Sequence, residues 1–447
     1  MRPSPARTAA VDVLERIERG KHLGEALNQA LSGKALSRAD RGLATELVYG
    51  VLRQRMYLDH TLDRLLDRGL ESVDRLVLTV LRLGAYQLVF LDRVPPHAAV
   101  NETVNLLKGK AGARGRAGLV NAVLRRLLRE GPADPPPWEE GPERHISVRY
   151  SLPRWMVRRW LDRLGSEECL ELARSINTPP DLHLRTNGLR AEPREVLERL
   201  RSQGLTADYG RYLPEAIHVK PRTQVAALPE FEEGLVYAQD EGAMLVSHLV
   251  DPRPGESILD SCAAPGGKST HMAELMGDKG RVIALDLDRH RLRLVRDNCR
   301  RLGLQSVEPQ EGDIRVWAGG ADFDRVLVDA PCTGMGVMGR RPDIRWRRRE
   351  SDPGDTARLQ VDILRGAARW VRPGGVLLYS VCTTEPEETV QVAREFALGT
   401  QGFRPRPLAD ILPTSISEVA GSPGQVYLWP HRHGTDGFFV ASWQRVE

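Results

Sequence analysis

From Thr8 to about Arg129 the apolar residues recur at steps of three and four: Ala10, Val11, Val13, Leu14 and Ile17, then Leu43, Leu47, Val48, Val51 and Leu52, then Leu76, Val77, Val80, Leu81 and Leu83. That spacing gathers them on one face of successive amphipathic helices, so residues 1–130 read as an all-α domain. The pattern stops at Gly131-Pro132-Ala133-Asp134-Pro135-Pro136-Pro137, where prolines remove amide donors and hold the chain extended. Residues 131–145 therefore read as a linker. From 146 to 240 a helix rich in Arg and Trp (154–164) precedes the alternating run Leu182-His183-Leu184-Arg185 and a helix over about 193–202, which predicts a small α+β domain.

From 241 to 447 the pattern changes to apolar strands alternating with helical stretches. Strands are expected at 257–259, 281–285, 307–310, 325–328 and 375–380, the order of a mostly parallel, doubly wound sheet. Only seven residues separate Val426-Tyr427-Leu428-Trp429 from Gly437-Phe438-Phe439-Val440-Ala441. A crossover helix does not fit there, so these two pieces should form a hairpin and one strand should run antiparallel.

Composition narrows the class. An apolar fraction of 41% with 28% charged residues is that of an ordinary globular protein, so disordered and collagen-like chains are excluded. No run of eighteen uncharged apolar residues occurs, and Met1-Arg2-Pro3-Ser4-Pro5-Ala6-Arg7 leads straight into a helical pattern, so a cytoplasmic protein without membrane segments is expected. The five cysteines (Cys169, Cys262, Cys299, Cys332, Cys382) form no C-x-x-C pair, which suggests reduced thiols and no zinc site. Residues 1–130 hold 22 Lys+Arg against 14 Asp+Glu while the rest is slightly acidic, an asymmetry that suits a polyanionic partner and equally a solvated helical surface.

The chemistry concentrates at strand ends. Asp260-Ser261-Cys262-Ala263-Ala264-Pro265-Gly266-Gly267-Lys268 follows the first strand of the sheet, where ligands bind in open parallel sheets. Gly266 and Gly267 allow close backbone approach, Asp286 ends the second strand where it can accept hydrogen bonds from ribose hydroxyls, and Asp313 ends the third, placed for an adenine amino group. Together they predict a nucleoside cofactor. A P-loop competes, because Gly267-Lys268-Ser269 matches its end, but the glycine it needs five residues before Gly267 is Cys262. Two further strand ends stop on thiols, Asp329-Ala330-Pro331-Cys332 and Tyr379-Ser380-Val381-Cys382. Thr384-Glu385-Pro386-Glu387 reads as a capping box, which would set Cys382 just ahead of a positively polarised helix N-terminus. His431-Arg432-His433 lacks a third ligand nearby, so no metal is assigned.

These motifs, with Arg341-Pro342-Asp343-Ile344-Arg345-Trp346 and Asp436-Gly437-Phe438-Phe439, resemble those of the S-adenosylmethionine-dependent RNA (cytosine-5)-methyltransferases over roughly 230–447. Residues 1–130 resemble the RNA-binding NusB fold, a pairing that points to the branch acting on small-subunit ribosomal RNA. The resemblance implies three domains: an all-α NusB-like domain, a small α+β RNA-recognition-like domain, and an α/β Rossmann-like methyltransferase domain with one antiparallel strand. It implies S-adenosylmethionine held by Cys262, Ala263, Ala264, Pro265, Gly266, Gly267, Lys268, Asp286, Arg291, Asp313 and Asp329. It further implies Cys382 as the nucleophile on cytosine C6, Asp329 on the cytosine edge, and Cys332 as the group that helps remove the C5 proton, with Lys268 beside them. Where the family usually has Thr before the nucleophile, this chain has Val381.

The basic stretch Arg340, Arg341, Arg345, Arg347, Arg348 and Arg349, with Trp346 inside it, could follow a phosphate backbone and stack on a base, or simply be a solvated helix start. The expected partner is ribosomal RNA, with no membrane and no metal, and the expected state a monomer. Alternatives are the same chemistry on transfer RNA, a non-catalytic RNA-binding factor and, least favoured, a nucleoside-triphosphate hydrolase.

Overall fold

The computed structural model describes residues 4–32, 36–108, 116–220, 225–320, 322–417 and 423–446. The chain divides into two compact units, Met1–Thr178 with Arg340–Arg348, and Pro179–Gly339 with Arg349–Glu447. Among the described residues no helix is long and apolar enough to cross a membrane.

The first unit is helical. Its principal helices are Pro5–Glu18, Leu23–Ser32, Arg38–Leu65, Arg75–Phe90, Pro96–Lys108, Ala117–Glu130, Pro142–Arg149 and Arg154–Asn177. Two start on side-chain caps: Ser37 accepts from the Asp40 amide and Asp74 from the Val77 amide, each at 3.1 Å. The apolar stripes legible in the sequence meet in one core, including Val13, Leu14, Leu47, Val48, Val80, Leu81 and Leu83. Gly50 lets two of these helices cross closely, since a Cβ there would lie 1.9 Å from the Tyr86 ring. Helix Pro142–Arg149, which begins inside the stretch read as a linker, and helix Arg154–Asn177, assigned from sequence to the middle region, cluster with this unit.

Arg340–Arg348 also belongs here, and for Arg345 and Trp346 it departs from both sequence readings, a run along a phosphate backbone and a solvated helix start. Arg345 is fully buried, donating to the carbonyls of Arg53, Tyr150, Ser151 and Ile176 and to Asn177 Oδ1 at 2.8–3.2 Å. Burial lowers its pKa to about 9. Trp346 donates its indole N–H to the Leu52 carbonyl at 2.7 Å. The Arg345 guanidinium is therefore not available to a phosphate. Arg345→Ala is expected to strand several buried carbonyls and to cost about 3–5 kcal/mol, read as a large drop in thermal midpoint. An unchanged midpoint would refute that role.

The second unit holds two sheets. The smaller one is antiparallel in the order β2-β3-β1-β4, made of β1 (Leu182–Thr186), β2 (Thr206–Tyr209), β3 (Ala216–Lys220) and β4 (Val236–Ala238). Helix Pro193–Ser202 buries Val196, Leu197 and Leu200 against it. The larger sheet contains β5 (Ser257–Asp260), β6 (Arg281–Asp286), β7 (Val307–Glu311), β8 (Phe323–Asp329), β9 (Val371–Val381), β10 (Phe403–Pro405), β11 (Gln425–Leu428) and β12 (Phe438–Arg445). Its order is β7-β6-β5-β8-β9-β12-β10, with β11 also paired to β12. Strands β5 to β9 are mutually parallel, while β12 runs antiparallel to β9 and forms the expected hairpin with β11. The order reverses between β5 and β8, which opens a crevice at the carboxyl ends of those strands.

Candidate active site

The β5 loop leads into helix Gly267–Leu275. Gly266 has φ +100°, and a Cβ there would press on Val295 at 3.1 Å, so the turn needs glycine twice over. Asp286, buried at the end of β6, accepts from the amides of Ala264 and Asp288, each at 2.9 Å, and so pins the loop to the next strand. Arg291 donates to the Ala264 carbonyl. Asp313, just beyond β7, is held by Arg315 at 2.6–3.1 Å, which lowers its pKa. Cys262 lines the loop with its thiol pushed up by burial and by the carboxylates of Asp260, Asp329 and Asp286. Ala263 and Ala264 are buried, whereas Pro265 is exposed.

Lys268 reaches across the crevice to Asp329, Nζ to Oδ2 at 2.6 Å. Burial works against its charge, but Asp329 outweighs burial and its pKa is raised. The other Asp329 oxygen accepts from Ser380 Oγ at 2.6 Å, so the carboxylate is fixed at both ends.

The thiols meet because of strand register. Asp329 of β8 pairs with Ser380 of β9, and each chain runs on a few residues to its cysteine. Cys332 Sγ and Cys382 Sγ lie 3.3 Å apart, both half-buried. Contact with Cys382, reinforced by burial, pushes the Cys332 thiol well above the ordinary range. Their loops are joined through the main chain: Gly336 N donates to the Cys382 carbonyl at 3.0 Å, and Gly437 N to the Gly336 carbonyl at 2.9 Å. A Cβ on Gly336 would fall 2.1 Å from the Gly437 carbonyl oxygen and 2.9 Å from that of Cys382. Gly336→Ala is therefore expected to separate the sulfurs and lower turnover by about 100-fold while leaving cofactor affinity intact. Retained turnover would show that the thiol alignment tolerates the shift.

One expectation needs correction. The segment after Cys382 does not open an α-helix at the capping box: Pro386–Glu388 is a short 3₁₀ turn, and the α-helix spans Val390–Gly399. The helix terminus is thus too far along the chain to polarise Cys382 as the sequence suggested.

Several site residues escaped the sequence reading. Glu388 is buried and accepts from the Thr333 amide at 2.8 Å and from Gln360 at 3.1 Å, gripping the Cys332 loop; burial raises its pKa to about 7. Asp260 accepts from Ser269 Oγ at 2.6 Å beneath the cofactor loop, with its pKa raised by burial to about 7. Arg185 of β1, fully buried, donates to both Glu274 oxygens, to the Gly267 carbonyl at 2.7 Å and to Thr270 Oγ1 at 3.1 Å. The alternation Leu182-His183-Leu184-Arg185 sets Arg185 on the polar face of its strand, so nothing in the sequence signalled its burial.

The family described as 16S rRNA methyltransferase RsmB/F matches residues 247–444, the NusB family 4–129, and the ferredoxin-like domain of RsmF/B-like methyltransferases 152–226. A relative in Bacillus subtilis is 36% identical with all of both chains covered. The chain belongs to the RsmB/F methyltransferase family. Ribosomal RNA small subunit methyltransferase B of Klebsiella pneumoniae is likewise 36% identical, with 97% of each chain covered. Among solved structures PH0851 matches with a TM-score of 0.84 at 27% identity, covering all of both chains. The three matched regions give the order anticipated from sequence: a helical NusB domain, a small ferredoxin-like domain and a methyltransferase domain built on a mixed sheet. A methyltransferase of this family needs a methyl donor beside its acceptor, and the β5–β9 crevice is where the motif residues converge.

Proposed function

We propose that this RsmB/F enzyme transfers a methyl group from S-adenosylmethionine to C5 of a cytosine in small-subunit ribosomal RNA through transient attachment to Cys382. The observation that carries the reading is the pair of sulfurs 3.3 Å apart at the ends of adjacent parallel strands, beside a carboxylate held by Lys268. The donor set fits the cofactor. Carboxylates stand at or just past the ends of β5 to β8 (Asp260, Asp286, Asp313, Asp329), which suits ribose hydroxyls, an amino group and a cationic centre. The Lys268 ammonium is bound to Asp329, so this crevice offers poor company to a polyphosphate. The residues from Cys262 to Lys268, with Asp286, Arg291, Asp313 and Asp329, would hold S-adenosylmethionine. When bound, it supplies an electrophilic methyl group.

The chain's own residues then do the following. Two thiols this close share a proton, and with that proton on Cys332 the Cys382 thiolate is the attacking sulfur. The Cys382 sulfur adds to C6 of a cytosine taken out of its stack, and the C5–C6 π electrons become nucleophilic at C5. Asp329, aligned by Lys268 and Ser380, would face the base edge and accept a hydrogen bond from N3–H once N3 has taken a proton from solvent, a proton returned when elimination restores neutral cytosine. After C5 has gained the methyl group it still carries its hydrogen. Once Cys382 has become a thioether, the charge that held the proton on Cys332 is gone and Cys332 passes that proton to solvent; as thiolate it then takes the C5 proton, the electrons reform C5=C6, the C6–S bond breaks, and Cys382 leaves as thiolate.

Incubating the protein with labelled S-adenosylmethionine and unmodified small-subunit RNA should yield label in 5-methylcytosine. Label confined to transfer RNA would change the substrate. RNA retention without any transfer would reduce the protein to a binding factor.

A further inference from the structure

A second cluster lies behind the cofactor loop, away from the thiols. Glu215 immediately precedes β3, His248 sits in the last turn of helix Glu241–Val250, and His271 lies on helix Gly267–Leu275. One ligand atom from each falls within 4.8 Å of the others. His248 Nε2 is 2.6 Å from Glu215 Oε1. His271 Nε2 is 3.2 Å from the same oxygen. His271 is 1% exposed; its Nε2 meets only that carboxylate oxygen, and its Nδ1 has no hydrogen-bond partner among the described residues. Two imidazoles converging on one carboxylate in a buried setting are an arrangement that a bound cation would account for.

The geometry points to a zinc-class divalent cation bound by Glu215 Oε1, His248 Nε2 and His271 Nε2, with a fourth position open to water. Two imidazole nitrogens and one carboxylate oxygen form a zinc donor set; calcium or magnesium would call for more oxygens. Bonds of about 2.0–2.1 Å in a tetrahedron put ligand atoms about 3.4 Å apart, so His271 already stands at the right separation and His248 must withdraw by under about 1 Å. His248, with 27% of its side chain exposed, lies on the open side and has room to do so. The nearby charges are already matched, Arg185 against Glu274, leaving the Glu215 carboxylate to face the cation. The C-terminal end of helix Glu241–Val250 adds partial negative charge around His248.

Such an ion would tie the small sheet, through the residue before β3, to the helix that carries Gly267 and Lys268. Its role would be to fix the cofactor loop against the domain beneath it, outside the methyl-transfer chemistry and independent of which base is methylated.

The full chain, stripped by a chelator and dialysed against zinc, should retain one equivalent more than the His248→Ala variant does. Cobalt in place of zinc should give the visible bands of tetrahedral coordination without sulfur charge-transfer bands, and zinc should raise the thermal midpoint of the wild type only. If His248→Ala fails to fold, Glu215→Gln serves as the comparison, and it too should lose that equivalent. Equal zinc uptake by wild type and a folded variant, no uptake at all, or cobalt bands that report thiolate ligands from the Cys332 and Cys382 pair would each overturn the site.

Discussion

Cys382→Ala should abolish methyl transfer, with turnover falling at least about 10⁴-fold, because without a sulfur on C6 the cytosine ring offers no carbanion-like C5. Cofactor affinity should stay within about twofold, since the groups that hold the β5 loop bond to one another and not to Cys382. Labelled-methyl incorporation measures the first quantity and cofactor titration the second. The two readouts separate chemistry from folding. A collapse in cofactor binding would mean that the substitution had deformed the crevice, and turnover near wild type would remove Cys382 from the reaction.

Cys332→Ala should behave differently even though the two sulfurs touch. Attack by Cys382 and methylation at C5 still proceed, but the C5 proton has lost its acceptor and the C6–S bond cannot be broken by elimination. Multiple turnover should drop by about 10²–10⁴-fold, while a protein–RNA adduct stable to denaturing electrophoresis builds up toward one per enzyme. The 3.3 Å contact places both sulfurs on the same base, so the two roles can be told apart only by these opposite phenotypes. The reverse pair of phenotypes, an adduct in Cys382→Ala and none in Cys332→Ala, would exchange the two roles.

The parts of this site that could be read in the sequence were those where one strand end implies its own position. Loop Cys262–Lys268, Asp286 and the two thiols each follow a strand whose place in a doubly wound sheet is set by order alone, and register between β8 and β9 then brings Cys332 to Cys382. The hairpin of β11 and β12 was legible for a similar reason, since seven residues cannot cross a sheet. Contacts between distant segments were not legible. Arg345 and Trp346 look like a solvent-facing basic helix in one dimension, and only the fold returns them to helices nearly 300 residues earlier, where backbone carbonyls take up the charge. Arg185, Glu388 and His271 share that property: each is a polar residue whose partners lie on another element, so local periodicity carries no trace of them. The capping box after Cys382 misled because Glu388 is drawn inward to Thr333 and Gln360, so the chain makes a 3₁₀ turn where a helix start was expected.

The most direct test is to digest the adduct formed by Cys332→Ala on small-subunit RNA and locate the attached nucleotide by mass spectrometry. The account predicts a methylated cytosine joined to the peptide that contains Cys382. A nucleotide on Cys262 or any other residue, or an adduct that carries no methyl group, would contradict it.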